Sequence, residues 1–205
     1  MPEPLTLVSP TSTSLPLAEL PERRANIVYF DLETKKTFDE VGGRTPEHKR
    51  QMEMSVGVTY STATGEYVVY NEKTVSELVR TLMRADLVVG FNIVNFDYDV
   101  LSAYTMLDMK QVPTLDMLEH VAQCLGHRLK LDVLAKATLG ASKTADGLDA
   151  ILWWRQGEIL KIAEYCCYDV KVTKLLYEYG VENQVLWYTD KFGQRRPCKV
   201  NWPRL

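Results

Sequence analysis

The sequence predicts one α/β domain in which helices cover a mixed β-sheet. Three strand-like segments come early in the chain with little helical pattern between them, and strand-like and helix-like segments alternate later. A meander of strands followed by alternating elements is typical of this architecture. The length of 205 residues and the 46% share of hydrophobic residues are sufficient for one domain with a sizeable core.

Segments rich in β-branched and aromatic residues, bounded by turn residues, are the predicted strands. They are residues 27–33, 54–62, 66–70, 86–91 and 112–117. The second and third are separated by a turn at residues 63–65, which favours a hairpin. The fourth is nearly all apolar, as expected of a strand that is buried on both faces.

Apolar residues spaced three or four apart mark the predicted helices. They are residues 75–85, 96–107, 118–125, 131–139, 146–155 and 158–179. Gly140 and Gly180 directly follow two of these segments, where glycine commonly ends a helix. The polar segment 34–53 is predicted to be a long loop or a short helix within a loop.

The two chain ends differ from the central domain at residues 25–183. The first 21 residues contain 11 Ser, Thr or Pro, so we expect a disordered tail over residues 1–24; the alternative is a segment that docks a partner. Residues 184–205 are predicted to be a C-terminal extension, and their pattern favours a hairpin that turns at residues 191–194.

Charge and composition exclude some classes of protein. The net charge of −3 argues against a strongly basic nucleic-acid clamp, although bound metal ions or a local basic patch can still attract nucleic acid. No run of 18 apolar residues and no signal-peptide pattern occur, so we expect no membrane association. The four cysteines lack CxxC spacing, and we expect a reduced, cytoplasmic protein.

The first acidic signal lies on the first predicted strand. Asp31 and Glu33 are two residues apart, so their side chains point to the same face. Two adjacent carboxylates on a hydrophobic strand repel each other unless a cation lies between them. The alternative is a strand end that simply runs into solvent.

The second acidic signal follows the apolar fourth strand, where Asn92, Asn95 and Asp97 precede a predicted helix. Helix capping explains such residues equally well, because Asn and Asp are preferred N-caps. Asn95 is the better cap candidate, which leaves Asp97 for a separate role.

The third signal is Tyr165 and Asp169, which lie one turn apart at the margin of the apolar stripe of the longest predicted helix. A carboxylate at a buried edge is costly unless it is paired or binds a metal ion. Pairing with Lys171 or Lys174 is the alternative to metal binding.

Taken in order, these three motifs resemble those of the DEDD superfamily of 3′–5′ exonucleases. The chain looks like the branch with tyrosine in the third motif, which includes the proofreading domain of family B DNA polymerases and small predicted microbial exonucleases. The resemblance covers residues 26–183 and includes Val-Gly-Gly at 41–43 and Tyr-Cys-x-x-Asp-Val-x-x-Thr at 165–173. Glu164 stands where the histidine branch has its histidine, which favours the tyrosine branch.

The resemblance implies a ribonuclease H-like three-layer fold with a mixed five-stranded sheet and helices on both faces. It implies two Mg²⁺ or Mn²⁺ ions as cofactors, because hard divalent cations prefer oxygen ligands. By position in the motifs, the implied metal ligands and catalytic acids are Asp31, Glu33, Asp97 and Asp169. Tyr165 would be a further catalytic residue that orients the attacking water.

Asn92 and Phe96 are the candidate substrate-binding residues, and holding the loop is an equal alternative for Asn92. Other polar or aromatic residues near the motifs have two interpretations each. Asp116 could add to the acidic set, but a turn or cap is favoured. Lys35, Lys36, Lys49 and Arg50 could contact phosphates or form a solvated charged loop. Trp153 and Trp154 could stack on bases, although core packing is favoured.

The leading hypothesis is therefore a metal-dependent 3′–5′ exonuclease that acts on single-stranded ends of DNA or RNA. The alternatives are a structure-specific endonuclease of the same fold, or a non-catalytic module that binds nucleic acid or a helicase. A helicase or another nucleic-acid processing protein is the expected kind of protein partner.

Overall fold

The computed structural model describes residues 25–141 and 147–205. The predicted tail at residues 1–24, and the predicted first residue of one helix at position 146, lie outside the described residues. Five strands form the main sheet: β1 (Ile27–Thr34), β2 (Met54–Ser61), β3 (Glu66–Tyr70), β4 (Leu87–Gly90) and β5 (Thr114–Asp116). Their spatial order is β3-β2-β1-β4-β5. The β1–β2 and β2–β3 pairs are antiparallel and the β1–β4 and β4–β5 pairs are parallel, so the predicted mixed sheet is confirmed.

Seven helices are described, and most of them lie against the two faces of this sheet. They are α1 (Pro46–Arg50), α2 (Val75–Met83), α3 (Asp97–Leu101), α4 (Met117–Leu125), α5 (Leu131–Leu139), α6 (Gly147–Gln156) and α7 (Ile159–Asn183). None of them combines the length and the apolar composition that a membrane span requires.

The strict alternation of side chains along β1 divides the core into two layers. Ile27 and Tyr29 pack with buried residues of α4, α5, α6 and α7 on one face. Val28, Phe30 and Leu32 pack with α2 and α3 on the other. The predicted three-layer arrangement, with helices on both faces, is therefore confirmed.

The central strand β1 extends further at its carboxyl end than β4, the parallel strand beside it. Residues 27–29 pair with β4, whereas the pairing with β2 continues to Thr34. The carboxyl half of β1, from Phe30 onward, thus lies past the end of β4, at the point where the chain order of the sheet reverses. In open α/β sheets, the crevice at the carboxyl ends of such strands is the usual place for a ligand.

The predicted helix at 96–107 is wrong in length, because α3 ends at Leu101. Beyond it the Tyr104 hydroxyl accepts the Met54 amide at 3.0 Å and donates to Glu72 at 3.0 Å, which fixes the chain in a non-helical path. Asn95 is also not the N-cap of this helix; its side-chain amide donates to Glu119 instead, at 2.5 Å. Contacts with distant segments here outweigh local helical preference.

After α7 the chain forms an antiparallel hairpin of β6 (Val185–Thr189) and β7 (Arg195–Lys199), with Leu186 opposite Cys198. The prediction that Gly180 ends the long helix is wrong, since α7 continues to Asn183. Gly180 is buried, and a Cβ built on it would lie 2.4 Å from Cζ3 of Trp202. Glycine is therefore needed here for the close approach of the C-terminal segment.

Replacing Gly180 with alanine is expected to destabilise the protein by about 1–3 kcal/mol, the usual cost of overpacking a core. In a helix interior, alanine alone would favour folding by about 0.5–1 kcal/mol relative to glycine. The Trp202→Leu background removes the ring and should make Gly180→Ala neutral or stabilising. Urea unfolding of the wild type, both single variants and the double variant measures the effect of Gly180→Ala on the free energy of unfolding in each background. An equal cost in both backgrounds would contradict the assignment.

Candidate active site

Three of the predicted acids converge at the carboxyl end of β1. One carboxylate oxygen from each of Asp31, Glu33 and Asp169 lies within 4.8 Å of the other two. Asp31 and Glu33 occupy alternate positions on the face of β1 that α7 covers, and Asp169 comes from α7 itself. The side chains of Glu33 and Asp169 are 9% and 6% exposed, so water screens their repulsion poorly.

Such a set of oxygens is suited to a hard divalent cation. Mg²⁺ and Mn²⁺ prefer carboxylate ligands, and a cation among them offsets the repulsion between the negative charges. The donor set, which contains only oxygen, fits the metal that the sequence motifs imply.

Asp97 lies beside this group but outside it. Its Oδ1 accepts a hydrogen bond of 3.0 Å from the backbone amide of Leu32, between Asp31 and Glu33. Because β4 has already ended, this carboxylate takes the place of a neighbouring strand at that edge of β1. Asp97 is 3% exposed, and its burial, followed by the charge of Asp31, raises its pKa well above the usual range.

Tyr165 is placed one turn before Asp169 on α7, and the two side chains are hydrogen-bonded. Burial is the main cause that raises the pKa of the Tyr165 hydroxyl, and the charges of Asp169, Glu33 and Asp31 raise it further. The hydroxyl therefore stays protonated and remains a donor. The Trp153 ring meets the Tyr165 ring edge-on, with centroids 6.0 Å apart, and fixes its orientation.

Cys166 contributes a contact that the sequence did not reveal. Its thiol is fully buried and donates to the backbone oxygen and to Oδ2 of Asp31, both at 3.3 Å. Burial and, next, the charge of Asp31 raise the pKa of this thiol well above its usual range, so it stays a donor. The available signal in the sequence was the position of Cys166 between Tyr165 and Asp169.

Two clefts open on either side of the carboxylates. The first, here called the apolar cleft, has a volume of about 280 Å³ and includes Glu33, Phe38, Met52, Phe96 and Ile151 in its lining. Phe38 and Phe96 meet edge to face, with ring centroids 5.7 Å apart. Phe96, a predicted substrate-binding residue, is therefore at this cleft, next to Glu33.

The second, here called the basic cleft, has a volume of about 500 Å³, and Asp31, Asn92, Arg128, Lys130 and Asp169 are among its lining residues. Arg128 donates to Oδ1 of Asn92 at 2.6 Å, so Asn92 holds this cation at the cleft. This cleft differs from the first because its lining includes two cations and an amide, together with the carboxylates of Asp31, Asp132 and Asp169.

Asp116 organises the loop that carries Asn92. Its carboxylate accepts the backbone amides of Asn92 at 2.8 Å and Val94 at 3.0 Å, and it also caps α4 through the amide of Leu118 at 3.0 Å. The prediction that Asp116 is a turn or cap residue is confirmed. Asn92 itself has a φ of 70°, a conformation that asparagine tolerates better than most residues. The loop-holding alternative for Asn92 is thus supported by its contacts.

The lysines and the arginine that were candidates for phosphate contact after β1 bond to other side chains of the protein. Lys35 pairs with Glu72 at 2.6 Å and with Glu53 at 3.3 Å, and its ammonium lies 5.0 Å from the Trp154 ring centroid. Lys36 also pairs with Glu53. These pairs argue against phosphate contact, but the Lys35 side chain is only 12% exposed and is packed rather than solvated.

The other two candidates for phosphate contact, Lys49 and Arg50 on α1, bond to α3 and to the residue that follows it. Lys49 pairs with Asp99 at 2.9 Å, and Arg50 donates to Ser102 at 2.8 Å. Lys174, considered as a partner of Asp169, pairs with Glu178 at 2.8 Å. The cations that do line the basic cleft, Arg128 and Lys130, were missed, although the short basic loop between two predicted helices was a visible signal.

Comparisons with known proteins identify the superfamily and support the fold. The model of a family in the RNase H superfamily matches residues 28–181. The structure is similar to that of the family B DNA polymerase from the hyperthermophilic archaeon Pyrobaculum calidifontis, with a TM-score of 0.59 and 16% sequence identity. That similarity covers 78% of this chain but 25% of the polymerase chain. A comparison with curated protein sequences finds no match.

The polymerase similarity concerns the fold, and it is consistent with the resemblance to the DEDD exonucleases in the sequence motifs. The family match covers most of the chain and all of the elements that carry the acids. The chain belongs to the ribonuclease H superfamily.

Proposed function

We propose that this protein is a metal-dependent nuclease that removes nucleotides from the 3′ ends of single-stranded DNA or RNA. The observation that carries the proposal is the group of three carboxylates at the end of β1, with the Tyr165 hydroxyl bonded to one of them. A ribonuclease H-like fold supports nuclease chemistry in general terms; the direction and the substrate are part of the proposal.

Asp31, Glu33 and Asp169 are the proposed ligands of a divalent ion, with Mg²⁺ or Mn²⁺ as the candidates. Oδ1 of Asp97 is committed to the Leu32 amide, and its other oxygen is the candidate ligand for a second ion. When bound, such ions stabilise charge on the oxygens of the phosphate and lower the pKa of a water molecule.

The side chains around the acids supply binding and orientation. Tyr165, whose hydroxyl donates its proton to Asp169, would orient the attacking water toward the phosphorus by accepting a hydrogen bond from it. Arg128 and Lys130 would contact phosphate oxygens in the basic cleft. Asn92 would hold Arg128 in place for that contact.

The apolar cleft favours cleavage close to a strand end. Its volume of about 280 Å³ is at the lower limit of typical ligand pockets, and Phe38 and Phe96 offer ring faces or edges to a nucleobase. Because Glu33 lines this cleft as well, a terminal nucleotide bound there would place its phosphodiester bond beside the three carboxylates.

Asp31→Asn is expected to abolish hydrolysis while the fold is retained, because one of the three proposed ligands loses its charge. The assay uses oligonucleotides labelled at the 5′ end, with the 3′ end free or blocked, in the presence of Mn²⁺. The expected wild-type product is a ladder that shortens from the free 3′ end. Asp108→Asn, which removes a charge on the opposite face of the sheet but can still cap its turn, is the matched control. Wild-type activity in Asp31→Asn would refute the metal-site assignment, and internal cuts in the blocked strand would indicate an endonuclease.

Tyr165→Phe is expected to slow hydrolysis by about 10²–10⁴-fold, the usual contribution of a proton-transferring or water-orienting group. The ring contact with Trp153 is kept, and only the hydroxyl that bonds Asp169 is lost. Single-turnover rates at saturating enzyme measure this effect, with Tyr179→Phe on the same helix as the control. A rate equal to that of the wild type would remove Tyr165 from the mechanism.

Two substitutions of Asp97 separate its charge from its hydrogen bond. Asp97→Asn can still accept the Leu32 amide and relieves repulsion with Asp31, so its melting temperature in EDTA should be above that of the wild type. Asp97→Ala leaves the buried amide without its partner and should cost about 1–3 kcal/mol.

Added Mn²⁺ should raise the melting temperature of the wild type, by about 2.7 kcal/mol of stabilisation at 100 times the dissociation constant. The rise should be smaller for Asp97→Asn, because one candidate ligand has lost its charge. If Asn and Ala at position 97 are equally stable in EDTA, the hydrogen bond to Leu32 does not have the role assigned to it.

A further inference from the structure

The C-terminal hairpin lies beyond residues 28–181, to which the superfamily match extends, and its charge differs from that of the rest of the chain. Residues 184–205 carry five Lys or Arg residues and one Asp, a net charge of +4, whereas the whole chain carries −3. The one acid, Asp190, pairs with Arg196 at 3.0 Å within the turn region. The remaining cations give the hairpin a local positive surface on an otherwise acidic protein.

One side of the hairpin is firmly attached to the domain. Leu186 and Cys198 are buried in the main core, and the hydroxyl of Thr138 on α5 bonds both the backbone amide and the backbone oxygen of Trp187, at 2.9 Å and 3.0 Å. Arg195 donates to the backbone oxygen of Ala137 at 3.2 Å. The hairpin is therefore a fixed part of the domain, and side chains on it hold defined positions.

The tip and the paired strands of the hairpin combine aromatic rings with cations. Phe192, at the tip, is 75% exposed, and the ammonium of Lys191 lies 5.1 Å from its ring centroid. The guanidinium of Arg195 lies 4.2 Å from the ring centroid of Trp187. Rings interleaved with cations are typical of surfaces that bind single-stranded nucleic acid.

This surface is continuous with the basic cleft. A groove of about 490 Å³ runs between the hairpin and the α4–α5 loop, lined by residues that include His127, Leu129, Tyr188 and Phe192. Leu129 also lines the basic cleft, so the two depressions adjoin each other. Arg128 and Lys130, the sequence neighbours of Leu129, line the basic cleft beside the carboxylates, and Lys191 lines the groove at the hairpin.

We propose that the C-terminal hairpin binds the single strand upstream of the cleaved end, with bases stacked on Phe192 and Tyr188 and phosphates near Lys191. This inference rests on the proposed function for the direction of the strand, since the 3′-terminal nucleotide occupies the apolar cleft on the other side of the acids. Stacking requires bases with exposed faces, so the hairpin selects a single strand over a duplex but accepts any base sequence.

The test compares the hairpin double variant Lys191→Ser/Phe192→Ala with Met106→Ala/Lys110→Ser. The second variant is the matched control, because it also removes one exposed cation and one exposed apolar side chain. Its residues lie beside the core layer that contains α2 and α3, on the face of the sheet opposite to the carboxylates. Fluorescence anisotropy with labelled single strands of about 4 and about 16 nucleotides, in EDTA, measures binding without cleavage.

The hairpin variant should bind the longer strand about 5- to 150-fold more weakly, the range given by losing one stacked base. Met106→Ala/Lys110→Ser should bind it as the wild type does. Lys191→Ser alone should reduce the slope of log affinity against log salt by about 0.7, and Phe192→Ala alone should leave that slope unchanged. A duplex of the same length should compete poorly.

Equal affinity of the hairpin variant and the wild type for the longer strand overturns the inference, and would leave the hairpin as a surface for a protein. Equal competition by the duplex overturns it as well. The nuclease proposal is judged separately, from cleavage of the shorter strand by the wild type in Mn²⁺. If no strand is cleaved but the hairpin variant still loses binding, the nuclease proposal fails and the binding surface stands.

Discussion

The hydrogen bond from the Leu32 amide to Asp97 is the contact on which the candidate site depends most. The central strand β1 runs past the end of β4, and an unpaired backbone amide buried at that edge would be costly. The carboxylate of Asp97, from the first turn of α3, satisfies it. This contact fixes the end of β1 between two layers of helices, and thereby fixes the positions of Asp31 and Glu33 beneath α7.

The site concentrates carboxyl groups in a largely buried position. Asp31, Glu33 and Asp169 lie close together, and Asp97 adds a fourth carboxyl that burial and Asp31 disfavour in its charged form. Groups that donate to these acids offset part of the cost: the Leu32 amide, the Cys166 thiol and the Tyr165 hydroxyl. The rest of the cost is what a divalent cation would remove, so metal binding and stability are coupled at this site.

The parts of the site that follow from short-range geometry could be predicted from the sequence. Side-chain alternation in a strand placed Asp31 and Glu33 on one face, and one helical turn placed Tyr165 beside Asp169. The resemblance of the ordered motifs to those of the DEDD exonucleases implied the fold, which the observed sheet confirms. Whether Asp97 joins the metal ligands remains a prediction, because it lies outside the group of three acids.

Other features depend on contacts between distant segments, which no local pattern encodes. Gly180 has the appearance of a helix end, yet it is needed where Trp202 packs on α7. The lysines after β1 have the appearance of phosphate ligands, yet Glu53, Glu72 and Asp99 neutralise three of them. Arg128 bonds to Asn92 at the basic cleft, and Asp116, 24 residues further along the chain, accepts the backbone amide of Asn92.

The central claim is that the acids of β1 and α7 form one divalent-cation site, and calorimetric titration with Mn²⁺ tests it most directly. The wild type is predicted to bind Mn²⁺, and Glu33→Gln, which keeps the size of the side chain, is predicted to lose most of that affinity. Glu178→Gln, on the same helix as Asp169 but paired with Lys174, should bind Mn²⁺ as the wild type does. Equal Mn²⁺ affinity in the wild type and in Glu33→Gln would contradict the account.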